Sequence, residues 1–256
     1  MSIVLPVTDD GARRRIKHLV RELNGWTRVK HPNIVELRGV CEHGMHGLAM
    51  IMPWMQDGDL NTFLLKSPNI RRAPLVRNIA LGLDYLHTLN PPIVHGDVRA
   101  ANVLVDSSGQ ARLADFGLSR VFLEVEATDS SGSSAQQGNV RWMAPERIFP
   151  EEFQLTAVTS MTPASDMYSF GMVIYEIYTG RIPFYQERNI WTIPGSVKSG
   201  KRPLHPGISV ADLTGLGDDM WEIAQGCWKP DRFLRPTARQ VIGRAITLDD
   251  LSRAEG

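Results

Sequence analysis

The sequence predicts an α+β fold, with short strands in the first half of the chain and helices dominating the second. Three observations carry this expectation. Apolar residues recur at helical spacing over 13–23 and 73–88. Two short strand-like runs, Val103-Leu104-Val105 and Ala111-Arg112-Leu113-Ala114, flank Asp106-Ser107-Ser108-Gly109-Gln110, which reads as a hairpin. The stretch 166–179 is apolar almost all round, the mark of a helix buried on every side.

Taken in order, Ile16, Leu19, Val20 and Leu23 form one face of the first helix; Gly25 weakens its end and His31-Pro32 stops it. Ile34-Val35-Glu36-Leu37 and Leu48-Ala49-Met50-Ile51-Met52 read as two strands around a turn containing Gly44 and Gly47. Residues 53–58 connect. Val76, Ile79, Leu83 and Leu86 share one face of the helix over 73–88. Val103-Leu104-Val105 and Ala111-Arg112-Leu113-Ala114 are the arms of the hairpin. The Ser-, Gly- and Gln-rich stretch 128–138 reads as a mobile loop. For the buried helix, Ser165 is the expected cap and Gly180 the expected stop. Further helices are expected over 218–227 and 238–247, the latter opened by a capping box from Thr237 to Gln240.

Composition narrows the function classes. With 43% apolar and 22% charged residues in 256, the chain can bury a core. Twenty-eight basic residues balance 28 acidic ones, so no global field draws nucleic acid or an acidic membrane. Two cysteines, Cys41 and Cys227, cannot build a disulfide framework and fit a reducing cytosol. No apolar run approaches the ~20 residues of a membrane span, and the first ten residues lack the pattern of a signal peptide. A cytoplasmic protein is the expectation.

The chemistry concentrates in three clusters: His95-Gly96-Asp97-Val98-Arg99-Ala100-Ala101-Asn102, Asp115-Phe116-Gly117 and Ala144-Pro145-Glu146. Phosphoryl transfer needs a carboxylate beside the attacking hydroxyl and hard oxygen ligands for Mg²⁺ on the phosphates. Asp97, Asn102 and Asp115, brought together by a loop and a hairpin, supply those groups. Other patterns carry less. Cys41-x-His43-x-x-His46 has metal-like residue types but no fourth ligand nearby. Gly195 to Lys201 nearly spells a phosphate loop, but Arg202 stands where a Ser or Thr is required, so it reads as a loop between late helices. Arg13-Arg14-Arg15 reads as a solvated helix start.

The clusters, with Ser165-Asp166-Met167-Tyr168-Ser169-Phe170-Gly171 and Cys227-Trp228…Arg235-Pro236, occur in the order of the eukaryotic protein kinases, which this chain resembles over roughly 13–247. The resemblance implies a two-lobed fold with a complete, mostly helical C-lobe and a truncated N-lobe. It divides the chain into an N-lobe over 1–53 (one helix and two strands), a hinge at 54–58, the C-lobe over 59–247 and a tail at 248–256. It implies ATP-dependent phosphoryl transfer to protein Ser/Thr hydroxyls, with Tyr left open, and ATP and Mg²⁺ as cofactors. Asp97 would orient the acceptor hydroxyl and take its proton, Arg99 would stand near the γ-phosphate, and Asn102 and Asp115 would hold the metal. Met52 resembles the gatekeeper, Met55 the hinge contact to adenine, Asp59 a ribose ligand, Leu104 the floor under the adenine, and Glu22 the glutamate of the mobile helix. Phe116, His95, Leu37 and Trp26 match the apolar stack between lobes, Asp166 the anchor of the catalytic loop, and Glu146–Arg235 a buried ion pair.

The departures matter too. No G-x-G-x-x-G lies before Arg13, and Lys17, the first lysine, is already on the helix of Glu22. Activity impaired by the missing phosphate loop and lysine is therefore expected, as is a protein partner over the exposed sheet edge. Gly96 stands where many kinases have Arg, so modification of Thr128, Ser130, Ser131, Ser133 or Ser134 would lack its usual reader. Asn139 replaces a usual Thr. Two rival readings are a catalytically dead pseudokinase scaffold and a small-molecule phosphotransferase.

Overall fold

The computed structural model describes residues 26, 29–42, 48–116 and 137–245. Strands β1 (Gly39–Glu42) and β2 (Leu48–Ile51) pair antiparallel, with Gly39 opposite Ile51. Helices α1 (Leu60–Lys66) and α2 (Ala73–Thr88) follow. Strands β3 (Val103–Val105) and β4 (Ala111–Leu113) form a second antiparallel pair. After it come α3 (Pro145–Ile148), α4 (Pro163–Thr179), α5 (Ile193–Lys198), α6 (Ile208–Thr214), α7 (Asp218–Cys227) and α8 (238–245). The expected α+β order holds: a small sheet region precedes a large helical body.

The expected strand at Ile34–Leu37 is corrected. Val35 N–H donates to Leu113 O of β4 (2.8 Å), whereas Arg38 N–H donates to Ile51 O of β2 (2.8 Å). The segment therefore passes from one sheet to the other, leaves a single parallel bridge at Ile34–Leu113, and gives β1 its start only at Gly39. Leu113 N–H in turn donates to Asn33 O (2.9 Å), and Asn33 Nδ2 to Ala111 O (3.1 Å), which docks this segment on the hairpin. The hairpin turn is built by Asp106, whose Oδ1 accepts from Ser108 N–H (2.9 Å) and Gln110 N–H (3.1 Å). Burial pushes the Asp106 carboxyl up, but these bonds, with those from the Ser108 hydroxyl and Arg112, together outweigh it and bring it down to about 2.

Helix α4 is the axis of the body. Met167, Tyr168, Phe170, Met172, Val173, Ile174 and Ile177 are all buried, as expected for an all-round apolar helix, and α1, α2, α6 and α7 pack on it. Its start is three residues earlier than expected. Thr162 is the N-cap, accepting from Ser165 N–H (3.2 Å), while Ser165 Oγ accepts from Thr162 N–H (3.0 Å); Ser165 is thus the far half of a capping box. Pro163 fits the first helical position, where no N–H is needed. Gly180 stops the helix in the left-handed region, as expected. Gly171 permits the close approach of α7: a Cβ there would stand 2.9 Å from Cys227 Cβ and 3.0 Å from Ala224 O. The capping box at Thr237–Gln240 forms as expected, with Thr237 N–H donating to Gln240 Oε1 (2.8 Å). Helices α1, α5 and α6 were not expected. Each is at most seven residues long, too short to show a period. The phosphate-loop look-alike lies partly inside α5 rather than in a loop.

Beneath this body Glu146 and Arg235 meet in a fully buried bidentate pair at 2.6 and 2.8 Å. Arg235 also donates to the carbonyls of Ala164 (2.9 Å), Lys229 (2.8 Å) and Pro230 (3.2 Å). Arg235→Met should lower the unfolding free energy by about 3–5 kcal/mol, since it strands a buried carboxylate. Adding Glu146→Leu should recover only part of that, because three carbonyls still lack their donor; urea denaturation of both variants checks it.

Candidate active site

The site starts from one carboxylate in the first turn of α4. Asp166 is 1% exposed, and a buried charge is tolerable only when its lone pairs are used. Its Oδ2 accepts from His95 N–H (2.7 Å) and lies 2.9 Å from His87 Nε2 on α2, and its Oδ1 accepts from Gly96 N–H (2.8 Å). Burial would push its pKa up, but the His87 hydrogen bond and the charges of His87 and His95 outweigh this and hold it below the usual range. The loop turns at Gly96 with φ +79°, a left-handed backbone that glycine adopts freely. Asp97 N–H then donates to His95 Nδ1 (3.3 Å).

Asp97 is oriented from three sides. Asn102 Nδ2, in the 3₁₀ turn Ala100–Asn102, donates to Asp97 Oδ2 (2.7 Å) and to its carbonyl (2.8 Å). Asn139 Nδ2 donates to Oδ1 (2.8 Å), and Arg99 Nε stands 3.3 Å from Oδ2. Each carboxylate oxygen has two lone pairs, so acceptor capacity remains.

Asp115 follows β4 directly, in the left-handed region at φ +58°. A non-glycine residue held there is strained backbone, of a kind that clusters at functional sites. Among the described residues no hydrogen bond or ion pair reaches its carboxylate. Burial pushes its pKa up; His95 opposes that and Asp97 adds to it. With Asn102 Nδ2 committed to Asp97, its Oδ1 is left as a free acceptor. A half-buried carboxylate and an amide oxygen that have no hydrogen-bond partner among the described residues are donors that a hard divalent cation takes. Asn102 and Asp115 therefore fit a Mg²⁺ ion.

Beside them Met52, Met55 and Leu104 pack with Val35 and Ala114 in a small apolar cluster of their own, so these three predicted residues do come together. Asp59 is committed elsewhere: its Oδ1 caps α1 through Asn61 N–H (3.0 Å) and Thr62 N–H (3.2 Å), and Thr62 Oγ1 donates to Oδ2 (2.7 Å). The ring of Trp26 lies 4.3 Å from Phe116, which is 6.3 Å from His95, and Leu37 is buried in the same core. Glu22, His43, His46, Gly117 and the serines and threonine of 128–134 lie outside the described residues.

Two groups were missed in the sequence. Glu176 sits in the apolar later half of α4, and its Oε2 accepts from Ala100 N–H (3.0 Å) and Trp142 Nε1 (2.8 Å). It thereby ties the 95–102 loop to the 3₁₀ segment Gln137–Trp142. A carboxylate inside the apolar run 170–178 was the available signal, since such a group must find donors. Arg147 on α3, whose Nη1 donates to Gly96 O, had no signal of its own.

A family model described as protein tyrosine and serine/threonine kinase matches residues 2–244, and the chain belongs to that family. It is 31% identical over 252 residues to the probable serine/threonine-protein kinase roco6 of Dictyostelium discoideum, covering 94% of this chain and 11% of that protein. It is 29% identical over 231 residues to the serine/threonine-protein kinase STY17 of Arabidopsis thaliana, covering 89% and 36%. It is 30% identical over 230 residues to the dual specificity protein kinase shkA of Dictyostelium discoideum, covering 87% and 40%. The chain thus spans between about a tenth and two fifths of these relatives. Among the described residues no helix is long and apolar enough to cross a membrane.

Burial pushes the Glu176 carboxyl up to about 7, against the lowering by its two donors. A carboxyl raised in the folded state favours folding while it is protonated, and the benefit is lost as pH rises from its unfolded value through the folded one. Between pH 4 and 8 the wild type should lose up to roughly 3 kcal/mol relative to Glu176→Gln, read by urea denaturation across that range. Parallel pH profiles would contradict it.

Proposed function

We propose that this chain is the catalytic module of an ATP-dependent protein kinase acting on Ser/Thr hydroxyls. The observation that supports the reading is the placement of Asn102 between Asp97, which its Nδ2 bonds (2.7 Å), and the residue before Asp115, since Ala114 N–H donates to Asn102 O (2.9 Å), with Met52, Met55 and Leu104 in one apolar cluster with Ala114. The apolar cluster takes the adenine, and its edge meets the Met55 N–H and the lone pair that the Met55 carbonyl keeps beside its bond from Gly58 N–H (3.2 Å). Asp59 meets the ribose with the lone pairs that its cap leaves over. Asp115 and Asn102 hold the metal, which when bound neutralises charge on the phosphates.

The residues of the chain do the rest. Asp97, fixed by Asn102 and Asn139, hydrogen-bonds the acceptor hydroxyl and receives its proton as the oxygen bonds to the γ-phosphorus. The bond from that phosphorus to the β-bridging oxygen breaks and ADP leaves. Arg99, tethered to Asp97, faces the transferring group with its positive charge. Positioning and electrostatics supply most of the catalysis in this reaction.

A second reading, a scaffold that binds without turnover, is favoured by a specific observation: no G-x-G-x-x-G and no lysine other than Lys17 precede Glu22 in this sequence.

Transfer of γ-³²P from Mg·ATP to Ser- and Thr-containing peptides tests the proposal. Asp97→Asn should reduce turnover by about 10²–10⁴, and Asp115→Asn should abolish the Mg²⁺-dependent thermal shift with ATP. Transfer unaffected by Asp97→Asn would expose a contaminating kinase. Neither transfer nor a nucleotide-induced shift would support the scaffold, and phosphorylation of small amines but not peptides would support a small-molecule phosphotransferase.

A further inference from the structure

The peptide unit joining Gly96 to Asp97 is gripped at both ends. Its N–H, that of Asp97, donates to His95 Nδ1 (3.3 Å), and its carbonyl, that of Gly96, accepts from Arg147 Nη1. The preceding peptide is held as well, since Gly96 N–H donates to Asp166 Oδ1 (2.8 Å). Rotation of the Gly96–Asp97 peptide plane would swing the Asp97 side chain out of line. Glycine at 96, already at φ +79°, offers little resistance to such rotation by itself. A guanidinium is suited to the restraint, because its planar fork loses little freedom when it bonds and its charge persists when buried.

Arg147 reaches this carbonyl from α3, where its neighbour Glu146 is clamped by Arg235. Burial lowers the pKa of the Arg147 guanidinium, and the charges of Asp166, Asp97 and Glu146 oppose that. Those three carboxylates surround it, so it is the local counter-charge to the loop. Its base lies in Ala144-Pro145-Glu146-Arg147, directly after the segment Gln137–Trp142 that carries Asn139 to Asp97.

We infer that Arg147 is a positioning residue for Asp97, fixing the Gly96–Asp97 peptide plane and coupling the Pro145–Ile148 helix to the candidate catalytic carboxylate. The inference rests on the kinase reading for its effect on turnover, but not for its effect on the loop.

The test therefore has two arms, on wild type, Arg147→Met and Arg147→Lys. In hydrogen–deuterium exchange, Arg147→Met should speed exchange across 95–99 at least tenfold while α4 keeps its protection, and Arg147→Lys should restore part of it through its single donor. In peptide phosphorylation, kcat should fall at least tenfold for Arg147→Met with KM for Mg·ATP within twofold of wild type. Unchanged exchange over 95–99 overturns the inference. Exchange that rises equally in α4 also overturns it, since that marks a general structural role. If wild type transfers no phosphate, the kinase reading fails and the exchange arm alone decides the inference.

Discussion

The architecture of the site depends on one buried charge. Asp166 sits in the first turn of the most enclosed helix, where an unbonded carboxylate would be intolerable, and its demand for donors is met by the backbone of His95 and Gly96. The loop is therefore shaped by desolvation: it adopts the path that satisfies Asp166. Everything downstream inherits that path, from the bond between Asp97 N–H and His95 to the reach of Asn102 back to Asp97. The helix in turn is held firmly enough to serve as a reference, with a capping box at one end, Arg72 donating to Ile177 O at the other (2.9 Å), and Gly171 letting α7 settle against its middle.

A second buried carboxylate works on the opposite side of the loop. Glu176 binds Ala100 and Trp142 through one oxygen, so two stretches far apart in sequence share an acceptor. Asp166, Glu176 and the Glu146–Arg235 pair make three acidic groups in a mostly apolar interior, each with its lone pairs directed at a segment that would otherwise be a free loop. A polar network of this kind rigidifies when fully satisfied. Here it gives irregular backbone the fixity that strands and helices receive from their own ladders.

Much of this was legible in the chain. The all-round apolar character of 166–179 announced the axis, the Asp-Ser-Ser-Gly-Gln turn announced the hairpin, and the clusters at 95–102, 115–117 and 144–146 announced the family. What could not be read was local competition. Ile34–Leu37 has the composition of a strand, yet its donors are split between β4 and β2. Asp59 also caps the start of α1, a task that its place after the connector did not announce. Short helices such as α5 owe their existence to packing rather than period. Arg147 was invisible because a surface-type residue next to Pro145-Glu146 gives no hint that its tip lies under the turn at Gly96.

Asn139 gives the link between the 137–142 segment and Asp97 a permanence that a hydroxyl residue would not. Its carboxamide donates to Oδ1 at 2.8 Å, and a carboxamide has no oxygen that can be esterified. Phosphate cannot be installed at this contact, so charge repulsion against Asp97 is unavailable as an off-signal at that point. Any covalent control of this contact must act from a distance, by moving the segment that carries the amide.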